Sequence, residues 1–90
     1  MKTLPDTVAP YQRTKTFTAE TVPKGLLADH TTKAGVWGVI TVTAGQLKYI
    51  IPSTGETTIL EPGINGIAEP EVPHRVEPLG AVAFYVEFCR

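Results

Sequence analysis

The sequence predicts an all-β fold in a single domain, because short segments rich in strand-forming residues alternate with turn residues. Eight prolines and eight glycines divide the 90 residues. Valine, isoleucine, threonine and aromatic residues dominate between them, as is typical of strands. No window carries the apolar stripe of an amphipathic helix. About eight strands at this spacing predict an antiparallel barrel or jelly roll.

The turn residues place the strands in order along the chain. We predict that residues 1–90 form one domain and that residues 1–10 form an N-terminal arm. The predicted strands span residues 11–17, 25–30, 36–43, 46–51, 57–60, 66–69, 74–78 and 81–88. A pocket inside the barrel is predicted to contain Ile40, Val42, Leu47, Tyr49 and His74.

Two of these strands, VWGVITVT (36–43) and AVAFYVEF (81–88), are apolar on both faces. Strands of this kind are buried on both sides, whereas a barrel of this size has only one interior. A second layer must therefore cover the outer face. We expect that layer to be a second copy of the chain in a homodimer. The alternative is that the N-terminal arm packs over Trp37.

Composition excludes several classes of function. Eight basic and nine acidic residues give a net charge of −1, and their scattered positions provide no footprint for nucleic acid. No apolar run approaches the roughly 20 residues of a membrane helix. Pro5 and Pro10 interrupt the start of the chain, where a signal peptide would be apolar, and Cys89 has no partner for a disulfide. We expect a cytoplasmic protein without a nucleic-acid or membrane partner.

The two histidines are the candidate metal ligands. In a hairpin whose loop runs from residue 70 to 73, Glu69 and His74 would face each other with β-carbons roughly 5 Å apart. A carboxylate and an imidazole at that separation can bind one divalent ion. His30 ends an earlier predicted strand and could reach the same pocket. The spacing thus predicts a metal site of His30, Glu69 and His74.

Alternatives to this site remain open at the sequence level. His74 could simply donate a hydrogen bond to a loop carbonyl, and Glu87 or water could replace Glu69 as the third ligand. Imidazole and carboxylate ligands suit zinc, iron, nickel or manganese. The chain has no hydrolase or phosphate-binding motif. Its candidates for proton transfer are Tyr49, Glu69, Tyr85 and Glu87. These residues form no arrangement that is diagnostic of catalysis, so the sequence leaves enzymatic activity undecided.

The segments VPKGLLADHTTKAGVWGVITVTAGQLKYI, GINGIAEPEVPHRVEP and AFYVEF resemble the TehB/YeaR-like small cupins. These domains occur alone or at the N-terminus of tellurite-resistance protein B. The resemblance runs from about Tyr11 to Phe88. Gly45 matches the turn glycine of the first cupin motif, and His74 matches the histidine of the second. Gly38 occupies the usual glutamate position, and His30 is the only first-motif histidine, so the resemblance implies a reduced metal site.

The resemblance also implies a cupin barrel, a homodimer and a metal-dependent function. The first expectation is a binding or sensing module for a small molecule or an oxyanion in a stress response, as in tellurite resistance. The second is a metal-dependent cupin enzyme of the dioxygenase or isomerase type, which needs open coordination positions and a proton-transfer residue. The third is a structural module that holds no metal.

Overall fold

Two antiparallel strands of 15 residues each organise the computed structural model, which describes residues 1–90. Six strands form one antiparallel sheet with the order β1-β6-β3-β4, while β2 pairs with β6 and β5 pairs with β3. The long strands β3 and β6 thus contact most of the others. In chain order the elements are β1 (Pro10–Arg13), β2 (Phe17–Thr18), α1 (Lys24–Leu27), β3 (Trp37–Ile51), β4 (Glu56–Leu60), β5 (Gly66–Ala68) and β6 (Arg75–Cys89).

The structure confirms a mostly β, antiparallel, small domain, but its sheet is not a closed barrel. Strands β1 and β4 lie at opposite ends of the hydrogen-bonded order and do not pair with each other. β1 has only four residues, and its pairing with β6 contains an irregularity between Pro10 and Gln12. A short and irregular edge strand of this kind offers few backbone groups for closure.

The boundary predicted between two strands near Gly45 is wrong, because β3 continues through it. The register of β3 against β6 shifts between Val42 and Ala44 and again between Gly45 and Leu47. Gly45 has a φ of 74°, which is the left-handed conformation that glycine supplies at bulges. The glycine therefore bends a continuous strand. Likewise, residues 74–78 and 81–88 do not form two strands, since β6 runs through Gly80.

The N-terminal third differs most from the predicted strands. Residues 11–17 divide into β1 and β2, and the segment 25–30 forms no strand. Instead Lys24–Leu27 make one helical turn after Pro23, and Leu26 packs against the core. Residues 28–32 contribute only isolated backbone bridges. The structure contains no helix whose length and hydropathy would let it cross a membrane.

The core lies on one face of the sheet, where alternate residues of β3 and β6 point. Phe17 and Phe84 pack there with ring centroids 5.7 Å apart. The opposite face is only half-buried at Trp37 and Val39, so the predicted burial of β3 on both sides is incomplete in the single chain. The core cluster consists of Phe17, Ile40, Val42, Leu47, Tyr49, Ile51, Leu60, Val76, Val82, Phe84 and Val86.

The bulge at Gly45 leads to a stability prediction. A β-carbon at Gly45 would lie 2.1 Å from the Ala81 carbonyl oxygen, whereas a β-carbon at Gly55, which has nearly the same φ, would meet nothing within 4 Å. We expect Gly55→Ala to cost only the left-handed strain of about 1–2 kcal/mol. Gly45→Ala adds a backbone clash and should cost roughly 2–5 kcal/mol. Urea unfolding of both variants measures this, and equal losses would contradict it.

Candidate functional site

A cleft of about 520 Å³ lies on the core side of the sheet and opens to solvent. Its floor is formed by inward-pointing residues of β3 and β6, and its wall by the segment that includes α1. Small residues leave the space: Gly38 pairs with Ala68, and a β-carbon at Gly38 would lie 3.3 Å from the Ala68 β-carbon. The apolar side chains of the lining are Phe17, Pro23, Leu26, Val36, Ile40, Ala68, Val76, Phe84, Val86 and Phe88.

Two histidines form one part of the cleft wall. His30 and His74 exchange both backbone hydrogen bonds, with N···O distances of 3.0 and 2.9 Å. Their rings meet edge to face with centroids 4.1 Å apart, and both line the cleft. The backbone bridge thus brings together two side chains that lie far apart in sequence.

Each imidazole uses its Nδ1 atom to bind the carbonyl two residues earlier. Nδ1 of His74 lies 3.0 Å from the Val72 oxygen, and Nδ1 of His30 lies 3.3 Å from the Ala28 oxygen. Since a carbonyl only accepts, we assign the proton of each neutral ring to Nδ1. Both Nε2 atoms then carry a lone pair and make no hydrogen bond within the chain. Metal-binding histidines commonly have this arrangement.

Burial determines the protonation of His74, whose residue surface is 4% exposed. Removal from water lowers the pKa of His74 below 6.5 and outweighs the hydrogen bond to Val72, which raises it. His30 adds a smaller lowering effect on the pKa of His74, and Asp29 a smaller raising one. A neutral His74 is the form that can accept a hydrogen bond or bind a metal ion through Nε2.

Glu69 does not lie with the histidines. The predicted hairpin pairing is absent, because His74 pairs with His30 and Pro70 pairs in parallel with Thr32. Glu69 instead borders a second cavity of about 160 Å³, where its carboxylate lies 3.2 Å from the Lys2 ammonium. No three histidine, cysteine, aspartate or glutamate side chains are grouped closely enough to hold one metal ion.

The other residues considered for chemistry also lie outside the cleft. Glu87 is paired with Arg13 at 3.2 Å, and the Arg13 guanidinium lies 4.3 Å from the centre of the Tyr85 ring. Tyr49 is buried, and its hydroxyl donates to the Ile67 carbonyl at 3.0 Å. Burial, with smaller contributions from Glu56 and Glu69, raises the pKa of Tyr49 far above its usual value.

Of the residues predicted to line the pocket, Ile40 and His74 do so. Val42 and Leu47 belong to the core, and Tyr49 borders the second cavity. Sequence reasoning missed the wall formed by residues 23–33, including Lys33. The available signal was Pro23 followed by Gly25 and two leucines, a pattern too short to distinguish one helical turn from a strand.

The buried position of His74 predicts a pH dependence of stability. The unfolded chain binds a proton at His74 more readily than the folded chain, so the free energy of unfolding should fall as pH drops below about 6.5. One such proton contributes at most about 1.4 kcal/mol per pH unit. We expect metal-free His74→Gln to show a flatter profile than the wild type between about pH 7 and 5. Parallel urea-unfolding profiles of the two proteins would contradict this.

Comparisons with known proteins identify relatives of this chain. The profile of the family described as "TehB-like domain" matches residues 12–86. A search of curated protein sequences gave no significant match. A crystal structure of a protein from E. coli strain K12, solved as a structural genomics target, superposes with a TM-score of 0.90 at 22% identity, and the match covers 100% of this chain and 97% of that one.

The crystal structure of TehB from Haemophilus influenzae is similar over part of its length. The superposition has a TM-score of 0.83 at 28% identity and covers 93% of this chain. It covers 32% of the TehB chain, so this chain spans about a third of that protein.

Proposed function

The chain belongs to the TehB-like domain family, and from that premise we propose that it is a small-ligand-binding module whose ligand lies in the cleft beside a divalent metal ion held by His30 and His74. One observation carries the proposal: the Nε2 atoms of both rings are free of hydrogen bonds, and both rings line an open, mainly apolar cleft.

The donor set fits a weakly held metal ion with open coordination positions. Two neutral imidazoles, each oriented by a carbonyl on Nδ1, suit zinc, iron, nickel or manganese. Water or the ligand would supply the remaining donors, since no third ligating side chain is grouped with the two histidines and the neighbouring Asp29 is paired with Arg75. Glu69 as a third ligand remains a hypothesis that would require the 69–74 turn to rearrange. A bound metal ion would supply a Lewis acid for an oxygen atom of the ligand.

The chain's own residues would bind and orient the ligand. Among the lining side chains, Leu26, Val36 and Phe88 are only half-buried and offer hydrocarbon surface, whereas Ile40 and Phe84 beneath them are already buried by the chain. Burial of apolar surface contributes about 25 cal/mol per Å². The two Nε2 atoms and the polar residues after His30 provide the groups that fix the orientation of a polar end.

The biological setting proposed for the module is a cytoplasmic stress response, with tellurite resistance as the nearest example. Support comes from the family and from the similar part of Haemophilus influenzae TehB. We also interpret the fold as an open variant of the cupin architecture. Support for that view comes from Gly45 and His74, which match cupin motif positions, and from the antiparallel sheet around the cleft.

Two alternative functions have less support. A metal-dependent dioxygenase or isomerase would need a proton-transfer residue beside the metal ion, and Tyr49, Glu69, Tyr85 and Glu87 are all absent from the cleft lining. A structural module without metal would be favoured by a cleft filled with side chains, whereas this cleft has room for a ligand.

Metal titration tests the histidine pair. We expect wild-type protein to bind about one equivalent of Zn²⁺ or Ni²⁺ in isothermal titration calorimetry, and His30→Ala and His74→Ala to lose at least about tenfold in affinity, since each removes half of the protein ligands. Glu69→Gln should bind like the wild type, because Glu69 is paired with Lys2.

The variants separate the possible metal sites. If the affinity for the metal ion is unchanged in both histidine variants, the proposed site is wrong. A large loss in Glu69→Gln would show instead that Glu69 completes a three-ligand site in solution. Circular dichroism of each variant controls for loss of fold.

We also propose that the half-buried outer face of β3 and β6 pairs with a second copy of the chain. Trp37, Val39 and Tyr85 contribute to this face, and burying it in a homodimer would stabilise the assembly. Light scattering at micromolar concentration should give a dimer mass. Val39→Glu, which places a second carboxylate opposite Glu87 on this face, should give a monomer with an unchanged circular dichroism spectrum, whereas a monomeric wild type would contradict the dimer.

A further inference from the structure

We propose that the ligand of the cleft is a small organic acid whose hydrocarbon part lies on the apolar floor and whose carboxylate lies beside the segment His30–Lys33. This inference rests on the proposed function, because it names the ligand class of the same cleft. It concerns recognition by the chain's own side chains and applies to the metal-free protein.

The apolar floor of the cleft favours a ligand with a hydrocarbon body. Ile40, Phe84 and Val86 line it and cannot form hydrogen bonds, and the half-buried ring of Phe88 provides hydrocarbon surface that a ligand could cover. A ligand that placed polar atoms against them would lose its hydrogen bonds to water without replacement. The volume of about 520 Å³ is within the usual range for pockets that bind small molecules. A bare inorganic oxyanion would leave this surface unused.

The charged residues that line the cleft favour an acidic ligand over a basic one. No aspartate or glutamate lines the cleft, and its strongly basic residue is Lys33. Lys33 is absent from the salt bridges of the chain, whereas Asp29, four residues earlier, is paired with Arg75 at 3.0 Å. The lining thus carries one cationic side chain, Lys33, without a compensating carboxylate.

Two donors of the lining that remain free lie close together on one segment, while Tyr11 and Gln12 of β1 contribute a hydroxyl and an amide elsewhere in the lining. The Thr14 hydroxyl donates to the Lys15 carbonyl and accepts from the Val86 amide, and the Thr32 hydroxyl donates to the Val36 carbonyl. By contrast, the Thr31 hydroxyl and the Lys33 ammonium make no hydrogen bond within the chain. These two donors mark the side of the cleft where a carboxylate would be bound; Nε2 of His30 carries a lone pair and takes no part in holding the carboxylate. Gln12 adds only a neutral amide to the lining.

The test compares an acid with its uncharged isostere. Phenylacetate and phenylacetamide have nearly the same shape, so the difference in their affinities reports the charge. The probes are titrated into protein passed over a chelating resin, and the shifts of backbone amide resonances are followed by NMR. Tellurite and phosphate serve as inorganic oxyanions. Lys33→Gln removes the cation, and Lys48→Gln makes the same change at a residue outside the cleft that is paired with Glu77.

We expect phenylacetate to shift the resonances of residues 30–33 and to bind at least about tenfold more tightly than phenylacetamide. Lys33→Gln should weaken phenylacetate binding by about two- to fivefold, as expected for an exposed cation, and leave phenylacetamide binding unchanged. Lys48→Gln should behave like the wild type for both probes.

Other outcomes overturn the inference and separate it from the proposed function. Equal affinities for the acid and the amide, or an unchanged acid affinity in Lys33→Gln, would overturn the choice of an acid but leave a binding module. If tellurite or phosphate binds and phenylacetate does not, the ligand class would be an inorganic oxyanion and not an organic acid. The inference would also be overturned if the protein binds Zn²⁺ but neither phenylacetate nor phenylacetamide. Failure of every probe, together with absent Zn²⁺ binding, would overturn the proposed function as well.

Discussion

The pairing of β3 with β6 is the interaction on which the rest of the structure depends. It extends from Trp37–Cys89 at one end to Ile50–Arg75 at the other, and the remaining strands pair with one of these two. Because alternate side chains of a strand point to the same face, this one register determines which residues form the core and which form the floor of the cleft. A shift of β3 by one residue against β6 would move Ile40 to the outer face and leave Phe84 facing the core.

The cleft results from irregularities around this regular pair. Residues 28–32 pair through isolated bridges and not as a strand, so the segment forms a wall and leaves space above the sheet. The bridge between His30 and His74 fixes the distance of that wall from the turn before β6. Carbonyl contacts on Nδ1 then orient both rings. The histidine pair thus depends on local backbone geometry as much as on the side chains themselves.

Sequence reasoning recovered the β class and most of the strand positions, because alternation and turn residues are local signals. The two histidines that it singled out line the cleft, and their binding of a metal ion stays a prediction. Sequence reasoning could not recover the pairing partner of His74. The hairpin spacing favoured Glu69 opposite His74, and the pairing with His30 depends on where residues 28–32 lie, which a sequence pattern does not encode. The sequence also predicts a strand end near Gly45, because a left-handed glycine is equally typical of a turn and of a bulge within a continuous strand. The missed helical turn at Lys24–Leu27 has too few residues to show a period.

The order in which β3 and β6 come together has a kinetic consequence. Ile50 and Arg75 are 25 positions apart in the chain, whereas Trp37 and Cys89 are 52 apart. Since closing a longer loop costs more entropy, we infer that pairing of the two strands begins at the Ile50–Arg75 end and proceeds toward the Trp37–Cys89 end. Gly38, Val86 and Phe88, which line the cleft, lie near the opposite end and are ordered late. If the cleft is still unassembled in the folding transition state, a ligand stabilises the native state alone and acts mainly by slowing unfolding.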